Sequence, residues 1–87
     1  MNSIIRKSQF KRDFKRIIKQ GKDHQELEAV LLLLMAETPL PERLNDHPLH
    51  GNYEDHRELH IKPDWLLIYK TEDKTLVLVR TGSHSEL

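Results

Sequence analysis

The stretch "HRELHIKPDWLLIYKTEDKTLVLVR", His56–Arg80, decides the fold. "HRELHI" (His56–Ile61) alternates polar and apolar residues, the period-2 pattern of a strand with one wet face. "WLLIYK" (Trp65–Lys70) and "TLVLVR" (Thr75–Arg80) are apolar runs rich in β-branched and aromatic residues, which reads as buried strands. "TEDK" (Thr71–Lys74) is a tight hairpin connection between them. The three strands make a meander, and "SIIRK" (Ser3–Lys7) offers one further strand.

Two helices precede the meander. Ser8 is placed as the N-cap of a helix ending near Gly21, a good residue just past a helix end. Phe10, Phe14, Ile17 and Ile18 fall within an arc of ~100° on this helix, the width of a core-facing stripe. Asp23, followed three residues later by Glu26, forms a capping-box pattern for a second helix, which runs to about Glu37 and stops before Pro39. Leu27, Val30, Leu31 and Leu34 share one face of it. Leu32, Leu33 and Met35 add apolar surface elsewhere, which the first helix is expected to cover. Thr38–Asp55 is a connector broken by Pro39, Pro41, Pro48 and Gly51, long enough to be functional. The predicted architecture is α+β, two helices on one face of a mostly antiparallel sheet of three to five strands. Eighty-seven residues make a single domain, 1–87, whose site must lie at the edge of a small core.

The chain has no cysteine, which excludes disulfides and thiolate zinc sites and suits a reducing cytoplasm. "MNSIIRKSQF" has no long apolar run, so neither a secretion signal nor a membrane segment is expected. The formal net charge is zero, yet residues 1–22 hold eight Lys and Arg against Asp13 alone, a net of +7. Lys11, Arg12, Lys15, Arg16, Lys19 and Lys22 share a helical arc of ~140°. That face reads either as a solvated surface or as a stripe that tracks phosphates.

"HRELHIKPDW" (His56–Trp65) nearly spells the zinc-protease motif H-E-x-x-H, but its glutamate is third rather than second and Pro63 argues against a helix. On a strand, His56, Glu58 and His60 share one face, as ligands of a metal or as a plain polar edge. The remaining reading is acid–base chemistry on a phosphodiester without a metal. His47, His60 and His84 titrate near neutrality, Asp64 can orient an imidazole or accept a proton, and Arg80 offers a planar fork to a phosphate. Strand periodicity puts Arg80 on the face of Leu76 and Leu78. In "TGSHSEL", Ser83 and Glu86 repeat the capping-box pattern and predict a terminal helical turn with His84 at its first position.

"NDHPLHG" (Asn45–Gly51), "HRELHIKPDWLLIYK" (His56–Lys70) and "VRTGSHSEL" (Val79–Leu87) together resemble the YafQ branch of the RelE superfamily, toxins of bacterial toxin–antitoxin pairs. The match covers about Asp46 to Leu87, while the helical part fits in architecture. The resemblance implies a RelE-like microbial RNase fold and a cytoplasmic endoribonuclease that cuts mRNA in the A site of the 70S ribosome. It implies 2′-hydroxyl attack without a cofactor or metal. Its catalytic residues fall on His47, His60, Asp64, Arg80 and His84. His84 is assigned as general acid, Asp64 or His60 as base, Arg80 as the cation on the phosphorane and His47 as a positioning group. Trp65 adjoins the site as mostly core with a stacking edge. The helix bearing Lys11, Arg12, Lys15, Arg16 and Lys19 would touch RNA phosphates. The family carries a phenylalanine just after the match to Leu87, to stack a base or pack the turn. The partner implied is an antitoxin, with DNA reached only through the antitoxin complex. The competing reading is an inactive relative that serves only in such a repressor complex.

Overall fold

The computed structural model describes all 87 residues. Its elements in chain order are β1 (Ser3–Arg6), α1 (Ser8–Lys19), α2 (His24–Ala36), β2 (His47–Pro48), β3 (Arg57–Lys62), β4 (Trp65–Glu72) and β5 (Thr75–Gly82). The strands form one sheet in the spatial order β1-β5-β4-β3-β2. Neighbours from β2 to β5 are antiparallel, and β1 runs parallel to β5. Phe10 and Ile17 of α1 and Leu27, Val30 and Leu34 of α2 share a core with Leu59, Ile61, Trp65, Leu67, Tyr69, Leu76 and Leu78. Both helices therefore lie on one sheet face, as expected for α+β.

The joints follow from local chemistry. Lys7, not Ser8, caps α1, and no side chain caps its N-terminus. The reason is that the Lys7 N–H donates to the Leu78 carbonyl (3.0 Å), so the β1–β5 ladder runs up to the helix with no residue to spare. At the far end Gly21 takes φ 88°. The Lys22 N–H then reaches the Ile17 carbonyl (3.1 Å) and the Gly21 N–H the Ile18 carbonyl (3.0 Å), the paired bonds of a Schellman ending. Asp23 caps α2 by accepting from the Gln25 N–H (2.9 Å). Glu26 does not complete a capping box, because its carboxylate pairs with Lys62 instead (3.0 Å). Ile18 and Leu32 stay exposed, Leu32 at 71%, so α1 leaves part of the apolar surface of α2 uncovered.

The connector is more ordered than its breakers suggest. It holds 3-10 turns at Glu42–Leu44 and Gly51–Tyr53, and between them β2, which pairs His47 with Glu58 and Pro48 with Arg57. In β5 a bulge intervenes: Tyr69 opposes Leu78, but Ile68 opposes Arg80, leaving Val79 extra. This corrects the face expected for Arg80. The inward position after Leu78 falls to Thr81, which is fully buried. Its hydroxyl accepts from the Trp65 indole N–H (2.9 Å) and donates to the Leu66 carbonyl (2.8 Å). His47, Glu58, Ile68 and Arg80 thus stand in one row across four strands.

Ile17 is wholly buried in this core, whereas Leu32 faces solvent. Truncating Ile17 to alanine should cost about 2–5 kcal/mol in urea unfolding. Leu32→Ala should stay within about 0.5 kcal/mol.

Candidate active site

Leu59 and Ile61 of β3 point into the core, so Glu58 and His60 point to the face away from the helices. β2 brings His47 beside them, and the turn after β5 brings His84. The three rings form a file: His47 and His60 have centroids 6.1 Å apart, His60 and His84 5.5 Å. Asp64 closes one end. Its Oδ1 lies 2.7 Å from His84 Nδ1 and also accepts from the His84 backbone N–H (3.0 Å). These two bonds, the backbone one foremost, hold the Asp64 carboxyl below its ordinary range, so it is ionised near neutrality. An ionised carboxylate only accepts, which places the hydrogen of the bonded ring nitrogen on His84 Nδ1.

The same logic orients the other rings. His47 Nδ1 meets the Asn45 carbonyl at 2.7 Å and His60 Nδ1 the Pro63 carbonyl at 3.4 Å. A carbonyl cannot donate, so in each ring Nδ1 is the anchored nitrogen and carries the hydrogen. His47 Nε2 stands 3.4 Å from Glu58 Oε1. The loop carrying His47 is tied down at Asp46, which accepts from Arg57 Nε (3.1 Å) and from the buried Tyr69 hydroxyl (2.8 Å). Burial first, then the Asp46 carboxylate, pushes the Tyr69 phenol up, so it remains a donor.

Arg80 is held from the other side of the sheet. Asp13 of α1, fully buried, accepts from Arg80 Nε (2.8 Å) and Nη2 (3.2 Å), and the Tyr53 hydroxyl also bears on this guanidinium. The turn after β5 is a single turn, not the helical turn expected. Half of the capping box exists, since Glu86 Oε1 accepts from the Ser83 N–H (2.8 Å). His47, His60, Asp64 and His84 are thus brought together directly, and Arg80 joins them through the backbone leading to that turn.

Two expected RNA contacts lie elsewhere. Trp65 is 2% exposed, with its indole N–H spent on Thr81, so it has no face for a base. Arg16 donates to Asp13 (2.8 Å) and to the Thr81 carbonyl (2.9 Å), and its Nε lies 2.9 Å from Glu86 Oε2. It braces the fold, while Lys11, Arg12, Lys15 and Lys19 remain exposed. Arg43 and Lys62, not anticipated from the sequence, flank the file together with Lys22 of the cationic arc. A groove of about 560 Å³ passes His60 between Arg43 and Lys62, and another of about 400 Å³ passes Asp64 between Lys22 and Lys62. Only long-range folding of the connector and of the α1–α2 joint brings them there.

The cluster with metal-ligand geometry also differs from the alternative that the sequence raised. His56 lies outside β3, its Nδ1 on the Glu54 carbonyl (2.9 Å) and its ring edge-on to Tyr53 (5.6 Å). His47 takes its place: His47, Glu58 and His60 offer ligand atoms all within 4.8 Å of one another. Two imidazoles and a carboxylate suit a first-row divalent ion.

Residues 2–87 match the model of a family described as "Bacterial toxin of type II toxin-antitoxin system, YafQ". The chain is 44% identical over 80 residues to the mRNA interferase toxin YafQ of Escherichia coli strain K12, covering 91% of this chain and 87% of that one. It superposes on a metal-bound toxin from Helicobacter pylori with a TM-score of 0.93 and 45% identity, over 100% of this chain and 99% of the other. Against YafQ in the E. coli DinJ–YafQ complex the TM-score is 0.89 at 41% identity, over 97% and 94% of the two chains.

Asp13 generates a test of the packing behind the site. Burial alone would raise its pKa, but bonds from Arg80, Arg16, Gln9 and the Thr81 N–H outweigh this and bring it from 3.8 to about 2. A carboxyl depressed on folding stabilises the fold above its unfolded pKa, and that share is lost as pH falls through the folded one. Roughly 2 kcal/mol should therefore disappear between about pH 4 and pH 2. Urea midpoints across this range should fall more steeply for the wild type than for Asp13→Asn. Parallel slopes would contradict the assignment.

Proposed function

The chain belongs to the YafQ family of bacterial type II toxins, and from that footing we propose that it is a ribosome-dependent mRNA endoribonuclease, silenced by a cognate antitoxin. The observation that carries this reading is the file of three imidazoles, each anchored at Nδ1, with Asp64 behind His84 and Glu58 beside Nε2 of His47. Such a file serves attack by a ribose 2′-hydroxyl on its own phosphodiester. A base takes the 2′-proton, the 2′-oxygen bonds to phosphorus, the bond from phosphorus to the 5′-oxygen breaks, and an acid protonates that oxygen. The products are a 2′,3′-cyclic phosphate and a 5′-hydroxyl.

Asp64 fixes the His84 ring through Nδ1 and its backbone N–H, and we assign His84 as the general acid. With Asp64 committed to that ring, the base falls to its neighbour His60. His47 positions the phosphate from the other side, and Arg80 compensates the charge that gathers on the phosphorane. Asp64 is then a positioning residue. This chemistry runs in the cytoplasm, in the A site of the 70S ribosome. There Lys11, Arg12, Lys15 and Lys19 face ribosomal RNA phosphates, and Arg43, Lys22 and Lys62 guide the message past the rings. Free toxin is held in check by its antitoxin, as YafQ of E. coli is found with DinJ.

In a purified translation system the protein should cut message at stoichiometric amounts, leave cyclic phosphate and 5′-hydroxyl ends, and do so undiminished after it has been stripped with EDTA and returned to magnesium buffer. Loss of cutting by the stripped protein, restored by a first-row divalent ion, would instead make the His47–Glu58–His60 set a working metal site. His84→Ala should lower the rate ~10²–10⁴-fold while antitoxin binding persists. Unchanged cutting would remove His84 from the mechanism. Removing Lys11, Lys15 and Lys19 together should weaken ribosome binding and reduce its salt dependence, by a slope of about 2–3. An unaltered slope would return the stripe to plain surface.

A further inference from the structure

The mechanism above leaves one buried ionised group unused. Asp13 is the only carboxylate in residues 1–22, it has no exposed surface, and it sits on a helix that otherwise presents cations. Desolvating a carboxylate together with a guanidinium is a poor route to stability, since apolar packing in the same space does as well or better. What a buried ion pair does supply is fixed geometry. Asp13 Oδ2 accepts from Arg80 Nε (2.8 Å) and from the Thr81 N–H (3.1 Å), and its Oδ1 accepts from Arg80 Nη2 (3.2 Å), Arg16 Nη1 (2.8 Å) and Gln9 Nε2 (3.1 Å). The pair with Arg80 is bidentate along the Nε edge of the guanidinium, which fixes the plane of that group.

The second arm of the network reaches the turn that carries His84. Arg16 lies between Asp13 and Glu86, and Glu86 accepts from the Ser83 N–H (2.8 Å) and from Gln20 Nε2 (2.8 Å). Gly82 makes the approach possible: a Cβ there would sit 2.5 Å from Arg16 Nη2 and 3.0 Å from Glu86 Oε1. The backbone on either side of His84 is thus fastened to α1.

We propose that Asp13 is a positioning residue for catalysis, aiming the Arg80 guanidinium directly and setting the His84 turn through Arg16 and Glu86. This rests on the endoribonuclease reading. In a helix layer that lies behind the sheet, Asp13 touches neither substrate nor reacting atoms and acts only through Arg80 and the turn.

The test is single-turnover cutting of ribosome-bound message by the full chain, with the rate and the half-saturating ribosome concentration read separately. Asp13→Asn should lower the rate ~10²-fold with half-saturation within ~3-fold of wild type, because the interaction lost matters only once charge develops on phosphorus. In an Arg80→Ala background, Asp13→Asn should add no more than the ~10-fold of the second arm, well short of its ~10²-fold alone, since Asp13 and Arg80 act largely as one unit. Multiplying losses, or an Asp13→Asn enzyme as fast as wild type, would overturn the proposal. Glu86→Gln, at a partly exposed position, decides the second arm should Asp13→Asn not fold. It should keep its melting temperature, bind ribosomes normally and cut ~10-fold slower, and a wild-type rate would sink that arm. A wild type that never cuts message refutes the endoribonuclease reading itself, a result distinct from any of these.

Discussion

One buried carboxylate decides how the two ends of this chain meet. A charge without water is tolerated only when it is paired and hydrogen-bonded. Asp13 meets that condition with two guanidiniums, one amide side chain and one backbone N–H drawn from α1 and β5. Apolar side chains such as Phe10 and Ile17 press the helix against the sheet but tolerate sliding, because dispersion has no direction. The bidentate pair with Arg80 does not slide. The β5 bulge belongs to the same constraint. By skipping Val79 it turns the Thr81 N–H toward Asp13 and sends the Thr81 hydroxyl inward to Trp65.

Much of the fold was legible because strands and helices write their periods into short windows. Leu59 and Ile61 alternate with Glu58 and His60, and the structure puts the first pair in the core and the second outside it. Gly21 marked the end of α1 and Asp23 the start of α2, each through its own backbone chemistry. Long-range pairing was not legible. β2 is two residues, one of them a proline, and exists only because β3 offers it an edge. Ser8 lost its place as a cap to a hydrogen bond between Lys7 and Leu78, a partner far away in sequence. The bulge that reassigns Arg80 leaves no trace in an uninterrupted apolar run.

The site divides along the same line. Residue types on strands and turns pointed to imidazole, carboxylate and guanidinium chemistry, and His47, His60, Asp64 and His84 do converge. Their working order was hidden, since it depends on which carbonyl or carboxylate anchors each Nδ1. The exchange of His56 for His47 beside Glu58 is a fact of sheet register alone. Asp13 did leave a signal. At 100° per residue it falls next to Ile17, at the border of the apolar arc rather than among the lysines. A lone acid at that border of a cationic helix asks for a buried partner, and Arg80 was the unpaired cation nearest an apolar strand.

The two layers also separate two kinds of charge. The exposed lysines of α1 belong to the helix layer, whereas His47 and His60 stand on the opposite face of the sheet. A strand of RNA lying across the imidazoles cannot also follow the helix, because the sheet and its packed core stand between them. The cationic helix therefore serves a different backbone from the one being cut, or a protein partner that competes for it. On the proposed reading, a toxin between a message and ribosomal RNA would use this division, with neutralising charge behind and the imidazoles in front. The Asp13–Arg80 pair is where the two halves touch, so the helix that would bind RNA phosphate also holds the strand that leads to the His84 turn.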